Sequence, residues 1–201
     1  MTFAAIVVFG YLLGSCPWGY WLVRIFRHED VRGQGSGNIG ATNVWRVYGR
    51  WLGLPVVLLD ALKGAVPALV GVLAVSHLCG ILAGAAAMVG HARPVYLRFE
   101  KGGKLVATGG GVMLAVAPWA ALTLVGLWLV IFAVSRYASL SSIVTAFAMP
   151  VVVAVFGYPV SVIVFAGLSG AAIVFLHRAN LRRLRAGTES KFRLRRTAGV
   201  A

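Results

Sequence analysis

Long apolar stretches separated by short polar segments dominate the chain. The apolar stretches cover residues 2–23, 52–75, 78–89, 106–134, 140–156 and 160–176. They are continuous rather than alternating, and most are too long for buried strands, so the pattern predicts helices. Several approach the roughly 20 residues that an α-helix needs to cross the hydrocarbon core of a bilayer.

The composition supports a membrane-embedded protein. Of the 201 residues, 60% are hydrophobic and only 12% are charged. A soluble domain of this size cannot bury so much apolar surface. The composition therefore excludes a water-soluble enzyme and a disordered chain, and it indicates an integral membrane protein.

Lysine and arginine are concentrated in some of the connections between the apolar stretches. They cluster within residues 24–50, 93–104 and 178–196, and Arg136 occupies a further connection. The connections at residues 76–77 and 157–159 contain no Lys or Arg. Because cytoplasmic loops collect Lys and Arg, we expect the basic connections on the cytoplasmic side.

The stretch 106–134 is too long for one crossing. As a single helix it would measure about 44 Å, against a hydrocarbon core of about 30 Å, and it would place Arg136 opposite the basic residues 93–104. A break at Pro118–Trp119 removes both conflicts. We therefore predict an all-α integral membrane protein with seven transmembrane helices, some short or half-spanning, an outside N-terminus and a cytoplasmic C-terminus. Residues 1–201 form one domain, in which residues 186–201 are expected to be a flexible basic tail.

The net charge of +14 has two components. Much of it reflects topology and attraction to anionic lipid headgroups. No recognition helix or aromatic-interleaved sheet suggests a nucleic-acid partner. The basic loops also contain glycine and small polar residues, however, and this mixture can wrap backbone amides around a phosphate.

The first such loop covers residues 32–46. Its segment Gly35–Gly40 matches G-x-G-x-x-G, but no strand precedes it, so a dinucleotide site is not supported. The glycines would let backbone N–H groups converge on an anion. Additional donors in this loop are Ser36, Asn38, Thr42, Asn43 and Arg46.

Three further segments add candidate anion ligands. Gly102-Gly103-Lys104 precedes a helix and offers an ammonium beside a helix N-terminus; it is not a Walker motif, because Leu105 replaces the Ser or Thr. Residues 136–142 contain Ser142, a candidate ligand, and Ser139. We interpret Ser139 as a helix N-cap. After the last apolar stretch, His177 and Asn180 share one helical face.

Asp60 and Lys63 are ionisable residues inside an apolar stretch. Their i, i+3 spacing allows an ion pair, which is compatible with either a self-neutralising structural pair or a functional site. Cys16 and Cys79 lie in apolar stretches and are interpreted as buried thiols, unless packing brings them together as a bridge. No Cys/His spacing suggests a metal.

Several of these motifs, in this order, resemble the bacterial membrane acyl-phosphate:glycerol-3-phosphate acyltransferases. The resemblance runs from Gly14 to Glu189. It rests on residues 35–43 (GSGNIGATN), 59–64 (LDALKG), 90–91 (GH), 102–104 (GGK), 106–108 (VAT), 136–137 (RY) and 177–180 (HRAN). The family is seven-helical with its N-terminus outside, in agreement with the charge pattern.

The sequence departs from the family pattern in one loop. Where the family reads Phe-Lys-Gly-Gly-Lys-Gly, this chain has an extra residue after Phe99, giving Glu100-Lys101, and Leu105 replaces the last glycine. Leucine restricts the backbone beside the expected phosphate site. The departure leaves room for a paralogous acyltransferase with another donor or acceptor.

The resemblance implies transfer of a long-chain acyl group from acyl phosphate to the 1-hydroxyl of glycerol-3-phosphate. The products are lysophosphatidic acid and phosphate, in the first step of phospholipid synthesis. We expect no cofactor and no metal, a monomer embedded in the lipid bilayer of the bacterial cell inner membrane, and an active site on the cytoplasmic face. The alternative is a membrane protein that binds or transports a phosphorylated solute.

The candidate residues fall into three groups. The expected catalytic residues are Ser36, Lys104 and His177. The expected substrate-binding residues are Gly37, Asn38, Gly40, Thr42, Asn43, Arg46, Gly102, Gly103, Ser142 and Asn180. Secondary candidates are Asp60, Lys63, His91, Thr108, Arg178 and Glu189. The Ser36–Thr42 loop with Gly102 and Gly103 is assigned to the donor phosphate, and the proton acceptor is either a substrate phosphate or His177.

Overall fold

A computed structural model describes residues 2–192, which contain helices and no strand. The α-helices are α1 (Phe3–Gly14), α2 (Trp18–Arg27), α3 (Ala41–Tyr48), α4 (Arg50–Ala74), α5 (His77–Ala92), α6 (Val106–Val116), α7 (Pro118–Ser135), α8 (Ala138–Val155), α9 (Val160–Leu176) and α10 (Arg178–Arg185). The prediction of an all-α protein is therefore confirmed for these residues.

Most of these helices are long and apolar enough for a membrane. Within the described residues, five candidate spans meet this test: α1 with α2, α4, α5, α7 and α8. α9 and α10 count as a sixth if they form one span across their 59° bend, and α6 is a shorter apolar helix. The prediction of a multi-pass membrane protein agrees with this set.

The predicted break at Pro118 is present. α6 ends at Val116 and Pro118 is the first residue of α7. Proline has no N–H, but an N–H at this first position would have no partner within the helix. The apolar stretch 2–23 is also broken, which the sequence pattern did not indicate. α1 ends at Gly14 and α2 begins after Pro17, whose ring and missing donor interrupt the helical ladder.

α4 occupies the centre of one half of the molecule, packed against α1, α3, α5 and α6. α4 and α6 approach closely because small residues face each other: a β-carbon on Gly64 would overlap the Thr108 carbonyl, and one on Gly111 would overlap Ala61. Membrane helices commonly associate through such small-residue contacts. α8 packs on α7 and α9 to form the other half.

The first part of the predicted flexible tail makes several contacts with the helices. Glu189 accepts hydrogen bonds from three side chains, and the Phe192 amide donates to the Arg136 carbonyl at 2.8 Å. The Phe192 ring packs edge-on against both Trp45 and Phe132. Residues 188–192 are therefore anchored across α3 and the α7–α8 connection; the rest of the predicted tail, 193–201, lies outside the described residues.

Candidate active site

One cavity of about 430 Å³ separates the two halves of the molecule. Its polar end, here called the rim, is lined by Ser36, Asn38, Gly40, Thr42, Asn43, Arg46, Lys104, Ser139, Ser142, His177, Asn180, Arg183 and Glu189. Its apolar part, here called the lower wall, is lined mainly by Val57, Ala61, Val106, Gly109, Gly110, Gly111, Met113, Leu114, Ala121, Leu124, Val125, Trp128, Leu129, Ala146, Met149 and Ile173. All four predicted anion-binding segments thus meet at one cavity.

The first loop is held by its own side chains. Asn43, 3% exposed, accepts a hydrogen bond from the Ser36 amide at 2.9 Å and donates to the carbonyls of Gln34 and Asn38. Gly35 and Gly37 have φ of +58° and +68°, where a β-carbon is strained. Asn43, predicted to bind substrate, therefore uses its side chain to shape the loop, in which Ser36 and Thr42 also line the cavity.

The second loop also uses its backbone amides internally. The Gly102 amide donates to the Ala92 carbonyl at 2.9 Å and the Gly103 amide to the His91 carbonyl at 3.0 Å. Neither glycine lines the cavity, and neither does Gly37, whose amide donates to the Gln34 carbonyl. These three amides are therefore occupied within their own loops in this structure. Sequence cannot show this, because the acceptor carbonyls are set by the loop conformation.

The two glycine-rich loops contact each other. Asn38 Nδ2 donates to the Gly102 carbonyl at 3.1 Å, while its Oδ1 accepts from the Gly40 amide at 2.9 Å. Asn38 therefore fixes the first loop against the second. The expectation that both loops serve one site agrees with this contact.

Lys104 leads a chain of hydrogen bonds across the rim. Its Nζ donates to Asn180 Oδ1 at 2.5 Å, and Asn180 Nδ2 donates to Glu189 Oε1 at 2.7 Å. Burial, with the nearby positive charge of Arg183, lowers the pKa of Lys104 to about 8. The ammonium is thus charged at neutral pH and, within residues 2–192, has no direct carboxylate partner, so an anionic ligand would stabilise it.

Glu189 organises the opposite side of the rim. Ser139 Oγ donates to its Oε1 at 2.7 Å and Arg183 Nε to its Oε2 at 2.6 Å. Burial raises the pKa of Glu189, but hydrogen bonds from Asn180, Ser139 and Arg183 outweigh it and the net shift is downward. Ser139 is not the N-cap we predicted: Tyr137 precedes α8, and Ser139 lies inside its first turn. No local signal distinguishes a cap from a hydroxyl aimed at a carboxylate 50 residues later.

His177 is placed with one ring nitrogen available to the cavity. Its Nδ1 lies 2.8 Å from the Ile173 carbonyl, which only accepts, so Nδ1 carries a proton. The side chain is 4% exposed and lines the rim. In the neutral imidazole, Nε2 is then the acceptor nitrogen.

Ser142 differs from its predicted role in one respect. Its hydroxyl donates to the Ala138 carbonyl at 2.7 Å and accepts from Trp128 Nε1 at 3.1 Å. It lines the cavity, yet its proton is already used within α8. Trp128, which the sequence analysis did not identify, thereby connects α7 to the rim.

The secondary candidates differ in whether they line the cavity. Asp60 and His91 line the cavity, as do the catalytic candidates and Glu189. Lys63 and Thr108 are buried at 2% and 0% exposure without forming cavity wall. Arg178 is exposed, with its guanidinium 4.5 Å from the centre of the Phe175 ring, so it belongs to the surface of the bundle.

The departures from the family pattern are accommodated locally. Arg98 and Phe99 adopt positive φ, and Glu100 pairs with Arg32 Nη1 at 2.5 Å. Leu105 adopts φ +70°, the region that glycine prefers, while its side chain is 5% exposed in the core. Lys104 nevertheless points into the cavity, so the extra residue is absorbed before the GGK segment.

The cavity opens sideways as well as at the rim. Val57 of α4, Leu114 of α6 and Val125 of α7 line it and are themselves 37–43% exposed. Beyond Ala121 and Met149 the interior is closed by Val116, Ala117 and Val153, which are at most 2% exposed. An apolar chain can therefore enter from the side without reaching the far end.

Comparisons with known proteins agree with this geometry. A family model described as glycerol-3-phosphate acyltransferase matches residues 4–187. Glycerol-3-phosphate acyltransferases of Desulforudis audaxviator and Myxococcus xanthus are 42% and 44% identical, over 96% and 94% of this chain and 98% and 99% of their own. That of Sinorhizobium medicae is 47% identical over 93% of this chain and 91% of its own.

Two crystal structures of an integral membrane glycerol 3-phosphate acyltransferase share the fold. The glycerol 3-phosphate form superimposes with a TM-score of 0.90 at 42% identity, covering 95% of this chain and 96% of that one. The lysophosphatidic acid form gives 0.86 at 41% identity, covering 95% of each chain. The protein therefore belongs to the glycerol-3-phosphate acyltransferase family.

Proposed function

We propose that this protein transfers an acyl group from a long-chain acyl phosphate to the 1-hydroxyl of glycerol-3-phosphate. The observation that carries the proposal is one cavity with a cationic rim and an apolar lower wall that opens towards lipid. Both reactants have an anionic phosphate, and the donor also has a long hydrocarbon chain. Structures of a relative with glycerol 3-phosphate and with lysophosphatidic acid support this acceptor and this product.

The rim offers two places for phosphate. The donor phosphate is assigned to the hydroxyls of Ser36 and Thr42 and to the N-terminus of α3, where Gly40, Ala41 and Thr42 line the cavity. First-turn amides there lack intrahelical partners and favour an anion. The acceptor phosphate is assigned to the other side, between Lys104, Arg46 and Asn180, and His177 Nε2, an acceptor nitrogen, is assigned to a hydroxyl of glycerol-3-phosphate.

The chemical step needs little covalent help from the protein. The C1 hydroxyl oxygen attacks the acyl carbonyl carbon, the bond from that carbon to the phosphate oxygen breaks, and inorganic phosphate leaves. The hydroxyl proton is taken up by the departing phosphate, with His177 Nε2 as the rival acceptor. Because phosphate is a good leaving group, the main contributions are orientation and neutralisation of charge.

The same geometry supports a cytoplasmic site in the bacterial plasma membrane. The segments around residues 36–46, 104, 138–142 and 177–189 line one cavity, which supports placing them on the same side of the membrane. Positive residues favour the cytoplasmic side. We therefore propose seven transmembrane segments with α6 as a short one, an outside N-terminus, a cytoplasmic C-terminus and a monomeric enzyme.

Solute transport is less compatible with the structure. A transported phosphate compound would need a polar path to the other side of the membrane. Here the cavity ends on apolar side chains, and Val116, Ala117 and Val153 are packed beyond it. The closed end favours an enzyme whose lipid substrate enters and leaves sideways.

An assay of which acyl donor the protein uses tests the proposed function. Protein purified into lipid vesicles should release phosphate from palmitoyl phosphate only when glycerol-3-phosphate is present, and lysophosphatidic acid should appear in equal amount. Lysophosphatidic acid formed from palmitoyl-CoA, with none from palmitoyl phosphate, would overturn the donor assignment. Absence of product with both donors would overturn the function.

Accessibility labelling tests the orientation. In a background without Cys16 and Cys79, a membrane-impermeant thiol reagent added outside should label Pro159→Cys but not Gln34→Cys. Both positions are on the exposed surface. Labelling of residue 34 from outside would reverse the proposed topology.

A further inference from the structure

A buried polar cluster lies directly beneath the second loop. It consists of Asp60 and Lys63 on α4 and His91 on α5, which are only 2%, 2% and 4% exposed. Lys63 Nζ lies 2.8 Å from Asp60 Oδ1, and His91 Nδ1 lies 3.7 Å from the same oxygen. Ionisable groups at such depth are costly and are candidates for function.

On one side the cluster joins the break between α1 and α2. Pro17 interrupts the helical ladder there, and Lys63 Nζ donates to the Cys16 carbonyl at 2.8 Å. Lys63 therefore holds α4 against this break. Lys63 also pairs with Asp60, so its positive charge balances the negative charge of that carboxylate at the cavity wall.

On the other side the cluster contacts the second loop through His91. The His91 carbonyl accepts the Gly103 amide at 3.0 Å, and the imidazole packs so closely on Gly103 that a β-carbon there would overlap Nε2. Gly103 is followed by Lys104, and Gly102 is tied to the first loop by Asn38. The position of the imidazole thus sets the position of both loops.

We propose that Asp60 and Lys63 are positioning residues for acyl transfer, acting through His91 to hold the Gly103–Lys104 segment in register with the Ser36 loop. The inference rests on the proposed function. Asp60 Oδ1 lies beside His91 Nδ1, and the His91 imidazole packs on Gly103, so the effect of the ion pair on rate is transmitted through that side chain. A cluster needed only for stability would give no such dependence.

Two double variants of Asp60 and Lys63 distinguish a role in positioning the loop from a role in stabilising the fold. A buried ion pair replaced by apolar residues of similar size often leaves stability unchanged or higher, so Asp60→Val with Lys63→Met should unfold no earlier than the wild type. Its kcat should fall by about 100-fold, the loss typical of a displacement near 1 Å. Asp60→Asn with Lys63→Gln keeps hydrogen-bonding groups at both positions and should stay within about 10-fold of wild type.

A double-mutant cycle tests the route through His91. His91→Leu alone should lower kcat, and adding Asp60→Val with Lys63→Met should then change it by less than about 3-fold, because coupled residues are not additive. Losses that multiply would overturn the proposal, as would wild-type kcat in the apolar pair. If the apolar pair does not fold, His91→Leu alone decides: wild-type kcat in that variant would overturn the proposal, because the imidazole would then not hold the Gly103–Lys104 segment.

Ser169→Ala is the matched control. Ser169 is a buried polar residue of the same bundle, 6% exposed, whose hydroxyl contacts Met88 and which does not line the cavity. Its removal should leave kcat unchanged. If the wild type makes no lysophosphatidic acid, the proposed function fails; if it does and the apolar pair is equally fast, only this inference fails.

Discussion

The rim of the cavity and its lower wall are assembled in different ways. Rim side chains come from loops and helix ends that are far apart in sequence, and they are joined by directional hydrogen bonds such as those of Lys104, Asn180 and Glu189. The lower wall consists of apolar and small residues on α4, α6, α7, α8 and α9. The rim should therefore govern the rate for every donor, whereas the lower wall should govern which donor is preferred.

The largest expected effect is that of Lys104→Ala in the rim. Loss of a charge aimed at a phosphate should lower kcat/KM for glycerol-3-phosphate by about 10²–10³-fold, comparable to the loss of one oxyanion-hole donor. Initial rates in vesicles should show the same loss with palmitoyl and lauroyl phosphate. Lys101→Ala, at an exposed position off the cavity wall, is the control and should behave as wild type.

His177→Asn distinguishes two roles within the rim. If His177 Nε2 holds the acceptor by accepting a hydrogen bond from one of its hydroxyls, KM for glycerol-3-phosphate should rise by up to about 10-fold with a smaller change in kcat, the loss expected for one hydrogen bond. A general base would instead contribute about 10²–10⁴-fold to kcat. Steady-state kinetics over a range of acceptor concentrations gives the answer, and we expect the first result.

The pH dependence of kcat/KM tests the role of Lys104 in the rim. Because the pKa of Lys104 is lowered to about 8, the ammonium is charged below that pH and loses its charge above it. We expect kcat/KM for glycerol-3-phosphate to fall as pH rises through about 8, by up to 10-fold per unit. Lys104→Arg should remove this alkaline fall, since arginine stays charged; an unchanged profile would assign the titration to another group.

Ala121→Leu probes the lower wall. Ala121 is 2% exposed and lines the cavity near its closed end, so a larger side chain should shorten the space for hydrocarbon. Each buried methylene contributes about 0.8 kcal/mol, close to 4-fold, and the preference for palmitoyl over lauroyl phosphate should fall by about 10-fold. Equal losses for both donors would contradict the division between rim and lower wall.

The smallest effect is expected at the point where rim and lower wall meet. Leu105→Gly would relieve a left-handed conformation that costs about 1–2 kcal/mol, but it would remove a buried side chain whose truncation costs about 2–5 kcal/mol. Stability, measured by thermal unfolding in detergent, should therefore fall slightly while kinetic constants change little. Higher stability would show that the backbone strain is the larger effect.

Much of the architecture was predictable because it follows from hydrophobicity and charge. The break at Pro118 is required by the length of its apolar stretch and by the side of Arg136. The break before Pro17 was missed, since Cys16 and Trp18 continue the apolar pattern on both sides of it. Hydrophobicity indicates which segments lie in the membrane, but it does not indicate where the backbone hydrogen bonds of a helix are interrupted.

The site was predictable to the level of its segments. Glycine and basic residues identified the four segments that meet at the cavity. They could not show that the amides of Gly102 and Gly103 are occupied, or that Glu189 gathers Ser139, Asn180 and Arg183. Those contacts depend on tertiary packing between residues distant in sequence, for which a single sequence contains no local signal.

The sideways opening between α4, α6 and α7 has an energetic consequence for lipid traffic. A palmitoyl chain that left the bilayer would lose roughly 0.8 kcal/mol for each methylene exposed to water, more than 10 kcal/mol in total. An entrance at the depth of Val57 and Val125 lets the chain diffuse laterally from hydrocarbon to hydrocarbon. Only the phosphate-bearing ends then exchange with the aqueous compartment, so turnover avoids the slow desorption of a lipid.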